Sequence, residues 1–282
     1  MLESRVCVVT GGTSGIGLAT ARALASGGAT VLVVSRSEAK CAAVADRLRR
    51  ETGNAAIQYV AADLSSLEQV RRAAGEIRQR FAGINVLVNN AGVSLARRRE
   101  SADGFEYMFA LNHLAPFLLT NLLLDALVAG APARVVNVSS GMFPQAKLDF
   151  DNLQMTRKFS AMRAYANSKL CNILFTLELA RRLEGRGVTV NALGPGLVKT
   201  NIGMDEGGMF AFGKKLADFF GGTTPEQGAD TVVWLATSPE IEGVTGSYFE
   251  KRKPKPLEPA AGYGQLAVGL WQVSADLTGL QP

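Results

Sequence analysis

Cysteine, histidine and long apolar runs are all scarce in this chain of 282 residues. Its three cysteines, Cys7, Cys41 and Cys171, are odd in number and lack metal-ligand spacing. Neither a disulfide framework nor a thiolate metal site is expected, no metal is assigned, and a reduced, cytoplasmic setting fits best. The single histidine, His113, sits in an apolar stretch and reads as a structural residue rather than a ligand or base. No segment reaches the ~18 apolar residues that a membrane-spanning helix needs. The start, MLESRVCVV, is charged and turns at once into a β-like run, unlike a signal peptide or an integral membrane anchor. Repeats and low-complexity blocks are absent. The 30 basic and 25 acidic side chains give a net charge of +5; being spread along the chain, they argue against a nucleic-acid surface, while a cleft for an anionic cofactor suits some of the excess.

What is present is an alternation of strand-like and helix-like segments. That pattern predicts a single α/β domain, a Rossmann-type doubly wound parallel sheet of about seven strands with helices on both faces. Residues 1–250 form the domain, and 251–282 a C-terminal extension packed on it. The first strand, RVCVVT (5–10), runs into Gly11-Gly12-Thr13-Ser14-Gly15-Ile16-Gly17 and then a helical pattern. Strand, glycine turn and helix in that order make a phosphate site, because the backbone approaches closely and helix-start amides carry partial positive charge. The second strand ends in Ser35-Arg36 with no acid to accept a ribose 2′-hydroxyl. A hydroxyl and a guanidinium there, with Lys40 one turn on, suit a 2′-phosphate, so NADP(H) is expected over NAD(H).

The third strand ends in Asp63-Leu64; Asp63 either bonds the adenine amino group or caps the next helix. The fourth ends in Asn89-Asn90-Ala91-Gly92, small polar residues at the edge where open α/β sheets bind ligands. A helix is expected over 101–129, and Asn112 within it calls for a specific partner. The fifth strand ends in Ser139-Ser140-Gly141, before an irregular stretch at 142–162 that is long for a loop. Strand 188–193 leads to Gly194-Pro195-Gly196-Leu197-Val198-Lys199-Thr200. Residues 201–222, rich in Gly, Phe and Met, read equally as a lid over a hydrophobic ligand or as core. The basic 251–256 stretch, with two prolines, reads as a solvated linker before an amphipathic piece at 263–277.

The run YANSK (165–169) opens a helical segment at 162–183. Residues four apart share a helix face, so the Tyr165 phenol and Lys169 ammonium point into one cleft. A phenol titrates near pH ~10, and a nearby positive charge favours the phenolate, making the pair a candidate acid/base unit.

In order along the chain, TGGTSGIG (10–17), Asp63-Leu64, NNAG (89–92), Asn112, VVNVSS (135–140), YANSK and the Pro-Gly turn with Val198 and Thr200 resemble the short-chain dehydrogenase/reductase family. LNHLAPFLLT (111–120), FDNLQ (150–154) and WQVSADLTGL (271–280) are most similar to its retinol-dehydrogenase branch. Gly194 stands where that branch often has the histidine of His-Pro-Gly. The resemblance implies a catalytic tetrad of Asn112, Ser140, Tyr165 and Lys169, with Ser139 the alternative serine. It implies that Asn112 holds a proton-relaying water, that Lys169 lowers the Tyr165 pKa and binds the nicotinamide ribose, and that Val198 and Thr200 hold the carboxamide. Gly11, Thr13, Ser14, Gly15, Ile16 and Gly17 would surround the pyrophosphate. Asn90, Ala91 and Gly92 would flank the adenosine side, and Pro195 and Gly196 the nicotinamide side. The implied activity is hydride transfer between NADP(H) and an alcohol or carbonyl of a hydrophobic small molecule. Alternatives are an NAD(H)-linked dehydrogenase of smaller alcohols and a non-catalytic dinucleotide sensor. Pairing through the Tyr165 helix and its predecessor, to a homodimer or homotetramer, is also implied.

Overall fold

Short β-branched runs buried on both faces build the sheet. In the computed structural model, which describes residues 2–196, 223–257 and 260–280, these are β1 (Val6–Thr10), β2 (Thr30–Ser35), β3 (Ile57–Ala61), β4 (Val86–Asn89), β5 (Ala133–Val138), β6 (Val188–Leu193), β7 (Ser247–Glu250) and β8 (Lys253–Lys255). Their order is β3-β2-β1-β4-β5-β6-β7-β8. All pairs are parallel except β7 with β8. The chain reverses direction across the sheet between β1 and β4, the crevice where such sheets bind ligands.

The eighth strand comes from the basic stretch expected to be a solvated linker. Lys251 and Arg252 take φ of +50° and +59°, the twist a two-residue hairpin turn needs. The Arg252 side chain is tied down by Asp230. Pro254 and the exposed Lys253 and Lys255 close that edge of the sheet to another strand. At the opposite edge, arginines reach the outward carbonyls of β3: Arg49 bonds Ile57 O, Arg80 bonds Tyr59 O and Arg72 bonds Ala61 O.

The main helices are α1 (Gly15–Ser26), α2 (Glu38–Thr52), α3 (Leu67–Arg80), α7 (Ala161–Arg182) and α8 (Pro225–Thr237), and all but α1 start on a side-chain cap. Ser37, Ser66 and Ser160 accept from amides of the first turn, and Thr224 with Gln227 forms a capping box. Helix α1 packs against α8 on one face of the sheet, while α3, α5 (Ala115–Leu122) and α7 lie on the other. The expected long helix at 101–129 is broken. A short α4 (Tyr107–Phe109) passes into a π-helical turn, Ala110–Leu114, then α5 and α6 (Leu124–Ala129).

The C-terminal piece is one helix, α9 (Ala260–Thr278), packed on α7 and α5. Its inward stripe, Tyr263, Ala267, Leu270, Trp271, Ser274, Ala275 and Thr278, is buried at helical spacing. Trp271 meets Phe117 edge-on at 5.0 Å, stacks on Phe175 and carries Arg182 over its ring. With the sheet beneath and α9 above, every residue of α7 from Ala164 to Thr176 is buried. Among the described residues, no helix is long and apolar enough to cross a membrane.

Candidate active site

The C-terminal ends of β1, β4, β5 and β6 open onto one cleft. A buried polar ladder fixes two of them: Asn89 Nδ2 donates to Asn137 Oδ1 at 2.8 Å and to Thr120 Oγ1 at 2.9 Å, and Asn137 Nδ2 donates to Thr176 Oγ1 at 2.9 Å. Asparagines inside otherwise apolar strands thus brace the sheet against α5 and α7.

The adjacent serines of β5 divide their tasks. Ser139 Oγ donates to Lys169 O at 2.8 Å and is buried. Ser140, half-buried, accepts from Met142 N and is hydrogen-bonded to the Tyr165 hydroxyl. Of the two candidates, Ser140 is therefore the one brought to Tyr165. Lys169 Nζ lies 5.7 Å from the Tyr165 ring centroid and donates to Val138 O at 3.0 Å. Burial lowers the Lys169 pKa to about 8. Burial also raises that of Tyr165, with the Ser140 bond acting in the opposite sense. The sequence expectation that Lys169 pulls the phenol down is not met here: burial dominates, the opposing influence comes from the Ser140 bond, and Tyr165 is a protonated phenol at neutral pH.

Asn112 sits on the π-helical turn, a wide turn found mostly at functional sites. Its Oδ1 accepts from Val93 N at 2.8 Å, and its Nδ2 donates to Val93 O and to Ser168 Oγ, both at 2.9 Å. Both amide hydrogens are committed, so the side chain ties the segment after β4 to α7. Gly92 lies against both Asn112 Oδ1 and Lys169 Nζ, each 3.3 Å from where its Cβ would be.

At the other end of the cleft, Ser14 makes no side-chain cap on α1, whose first turn carries no acid. Helix-start amides without such a partner form an anion site. A Cβ on Gly17 would overlap Gly11 O and Asn90 Nδ2, so the turn closes only around glycine. Gly11 itself has φ of +67°. Asn90 Nδ2 donates to Thr10 O at 2.9 Å, and the amides of Asn90 and Ala91 donate to Thr10 Oγ1, locking β4 to the glycine turn. Thr13 Oγ1 meets Ser35 Oγ at 2.9 Å beside the exposed Arg36 and Lys40. Asp63 Oδ1 accepts from Ser65 N and Oγ, Ser66 caps α3, and the Leu64 side chain is in the core. These residues fit a dinucleotide: an uncapped helix start, a turn free of side chains and two hydroxyls beside a guanidinium. Pro195 is half-buried and Gly196 exposed. Val198, Thr200 and the expected lid at 201–222 lie outside the described residues. An open cleft of about 660 Å³ along the outer edge of β3 touches only Arg36 of the cofactor candidates and does not reach Tyr165.

Two features escaped sequence reasoning. Tyr248 Oη donates to Glu250 Oε1 at 2.8 Å, and a Cβ on Gly194 would overlap that phenol. The glycine that replaces the histidine of His-Pro-Gly thus makes room for Tyr248. Around Tyr165 gathers an apolar cluster of Leu95, Met108, Met155 and Ala164, with Val93, Tyr107, Met142 and Phe159 partly open at its margin. Most of these come from irregular segments, where periodicity gives no signal.

The sequence model of the short chain dehydrogenase family matches residues 5–208. The chain belongs to that family. This short chain dehydrogenase is 41% identical over 285 residues to human retinol dehydrogenase 13, covering 99% of the chain and 86% of that protein. Human polyprenol dehydrogenase is 40% identical, with coverage of 98% and 86%. Among solved structures, the RhlG/NADP active-site complex of Pseudomonas aeruginosa is 29% identical with a TM-score of 0.71, covering 88% of this chain and 94% of that one. The dehydrogenase is accordingly an oxidoreductase acting on CH–OH groups with a nicotinamide dinucleotide.

Proposed function

We propose that this dehydrogenase transfers hydride between NADP(H) and the alcohol or carbonyl of a bulky apolar substrate. One observation carries the reading: Tyr165, hydrogen-bonded to Ser140, belongs to an apolar cluster with Leu95, Met108, Met155 and Ala164, against which Val93, Tyr107, Met142 and Phe159 pack only partly buried. Methionine adapts to irregular apolar shapes, and relatives named for retinol and polyprenol accord with such a substrate.

In reduction the protonated Tyr165 gives its proton to the carbonyl oxygen, while Ser140 hydrogen-bonds the same oxygen and stabilises its developing charge. In oxidation the phenolate takes the alcohol proton. Lys169, protonated below about 8, holds the nicotinamide ribose and supplies positive charge to the site. Asn112 positions the loop after β4. When bound, the nicotinamide supplies the hydride donor or acceptor. Thr13, Ser14, Ile16 and Gly17 would hold the pyrophosphate, and Ser35, Arg36 and Lys40 the 2′-phosphate; the NADP complex of the related RhlG supports that cofactor.

The test is a panel of apolar aldehydes (all-trans-retinal, long-chain enals) against small polar ones (glyceraldehyde), followed by NADPH absorbance with wild type and Tyr165→Phe. Higher kcat/KM on the apolar set, lost in Tyr165→Phe with NADPH binding retained, is the expected result. Preference for the polar set, or near-normal turnover in the variant, overturns the reading.

A further inference from the structure

The inward stripe of α9 is apolar except for the hydroxyls of Tyr263, Ser274 and Thr278. Thr278 Oγ1 spends its hydrogen bonds inside the helix, on Ser274 O at 2.7 Å and on Ala275 O. Ser274 Oγ instead leaves the helix and meets His113 Nε2 at 2.7 Å. Both side chains are 0% exposed. The imidazole lies among Phe109, Phe117 and Phe175, with centroids 5.3, 6.1 and 6.4 Å away. Desolvation drives its pKa down to about 3, so it is neutral throughout the working range. With the proton on Nε2 the ring donates to Ser274 and Nδ1 has no hydrogen-bond partner among the described residues. A phenylalanine at 113 with an alanine at 274 would leave no polar side-chain atom at this contact. An imidazole in this place is thus an expensive choice for packing alone.

A single polar pair in an apolar interface fixes register, since sliding one helix leaves two buried groups unpaired. The element so registered is the π-helical turn Ala110–Leu114, which carries Asn112 beside His113. Such wide turns are rare and occur frequently at functional sites. We propose that His113 and Ser274 form a latch by which the C-terminal helix holds the π-turn in the register that presents Asn112 to Val93 and Ser168. His113 is a positioning residue: it touches no reacting atom and acts through its neighbour. The kinetic consequence rests on the proposed oxidoreductase reaction; the structural one does not.

The test compares full-length wild type, His113→Phe, Ser274→Ala and the double variant. Hydrogen exchange by mass spectrometry on peptides covering 105–116 and 90–96 reads the turn and the Val93 amide directly. Exchange there is expected to speed up by roughly tenfold in each single variant, the equivalent of losing one buried hydrogen bond, and no further in the double variant. kcat is expected to fall by a similar factor, with NADPH affinity within about twofold and the His113→Phe melting temperature within about 3 °C. Unchanged exchange, or a loss of kcat that merely tracks melting temperature, overturns the latch. Absence of turnover in wild type on every substrate tried refutes the oxidoreductase reading and leaves the exchange arm to decide the latch.

Discussion

Ser139 donates to the backbone carbonyl of Lys169 at 2.8 Å, which turns the first serine of the pair into a strut between β5 and α7. Ser140, one residue on, is left to face Tyr165. The two alanine variants should therefore fail differently. Ser140→Ala is expected to lower kcat by about 10² or more, as loss of an oxyanion-type donor does, with little change in melting temperature. Ser139→Ala should lose about 1 kcal/mol of stability with its buried hydrogen bond and keep turnover per folded molecule. Steady-state kinetics beside thermal denaturation distinguish them; equal kcat losses would remove the assignment.

Lys169 is 4% exposed and titrates near about 8 instead of its ordinary 10.5. Between those two values the unfolded chain binds the proton and the native one does not, so stability of the ligand-free protein rises with pH from about 8 toward 10.5. Below that window the buried ammonium costs the native state on the order of 3 kcal/mol. Lys169→Met should then raise the melting temperature at pH 7, flatten its rise between pH 8 and 10, and abolish turnover. A variant less stable than wild type at pH 7 would show that the ammonium stabilises the ligand-free fold.

Arg36 stands exposed at the end of β2 beside the Thr13–Ser35 hydroxyl pair. Arg36→Ala is expected to weaken NADPH binding by roughly ten- to a hundredfold, the loss of one charge-assisted contact, and to leave NADH within about twofold. Fluorescence titration with both cofactors checks this. Equal effects on the two would assign Arg36 to the surface.

Gly194 abuts the buried Tyr248 phenol. Gly194→Ala should destabilise the protein by about 1–3 kcal/mol through overpacking. Adding Tyr248→Phe, which removes the obstructing oxygen, should restore part of that loss. Additive effects in thermal denaturation would locate the strain elsewhere.

The parallel sheet, the glycine turn and the Tyr165–Lys169 helix could be read from the sequence because each rests on local chemistry: buried β-branched runs, glycines at close approach, and a spacing of four. What was not legible depended on contacts distant along the chain. Nothing local distinguishes Ser139 from Ser140; their division is decided by where the Lys169 carbonyl falls. The break in the 101–129 helix has no Gly, and its Pro116 sits inside the first turn of α5, where proline is tolerated. The π-turn is instead set by what packs around it. The basic 251–256 stretch looked unstructured because two prolines mask a strand that needs only one paired side. The direction of the Tyr165 shift was missed because spacing reveals a neighbouring charge but not the depth of burial.

Arg49, Arg72 and Arg80, by occupying alternate carbonyls of β3, do to one margin of the sheet what Pro254 and its flanking lysines do to the other. An eight-stranded slab with both rims occupied offers no template for a ninth strand from a neighbour. The backbone of the sheet is therefore inert toward fibrous association through either edge.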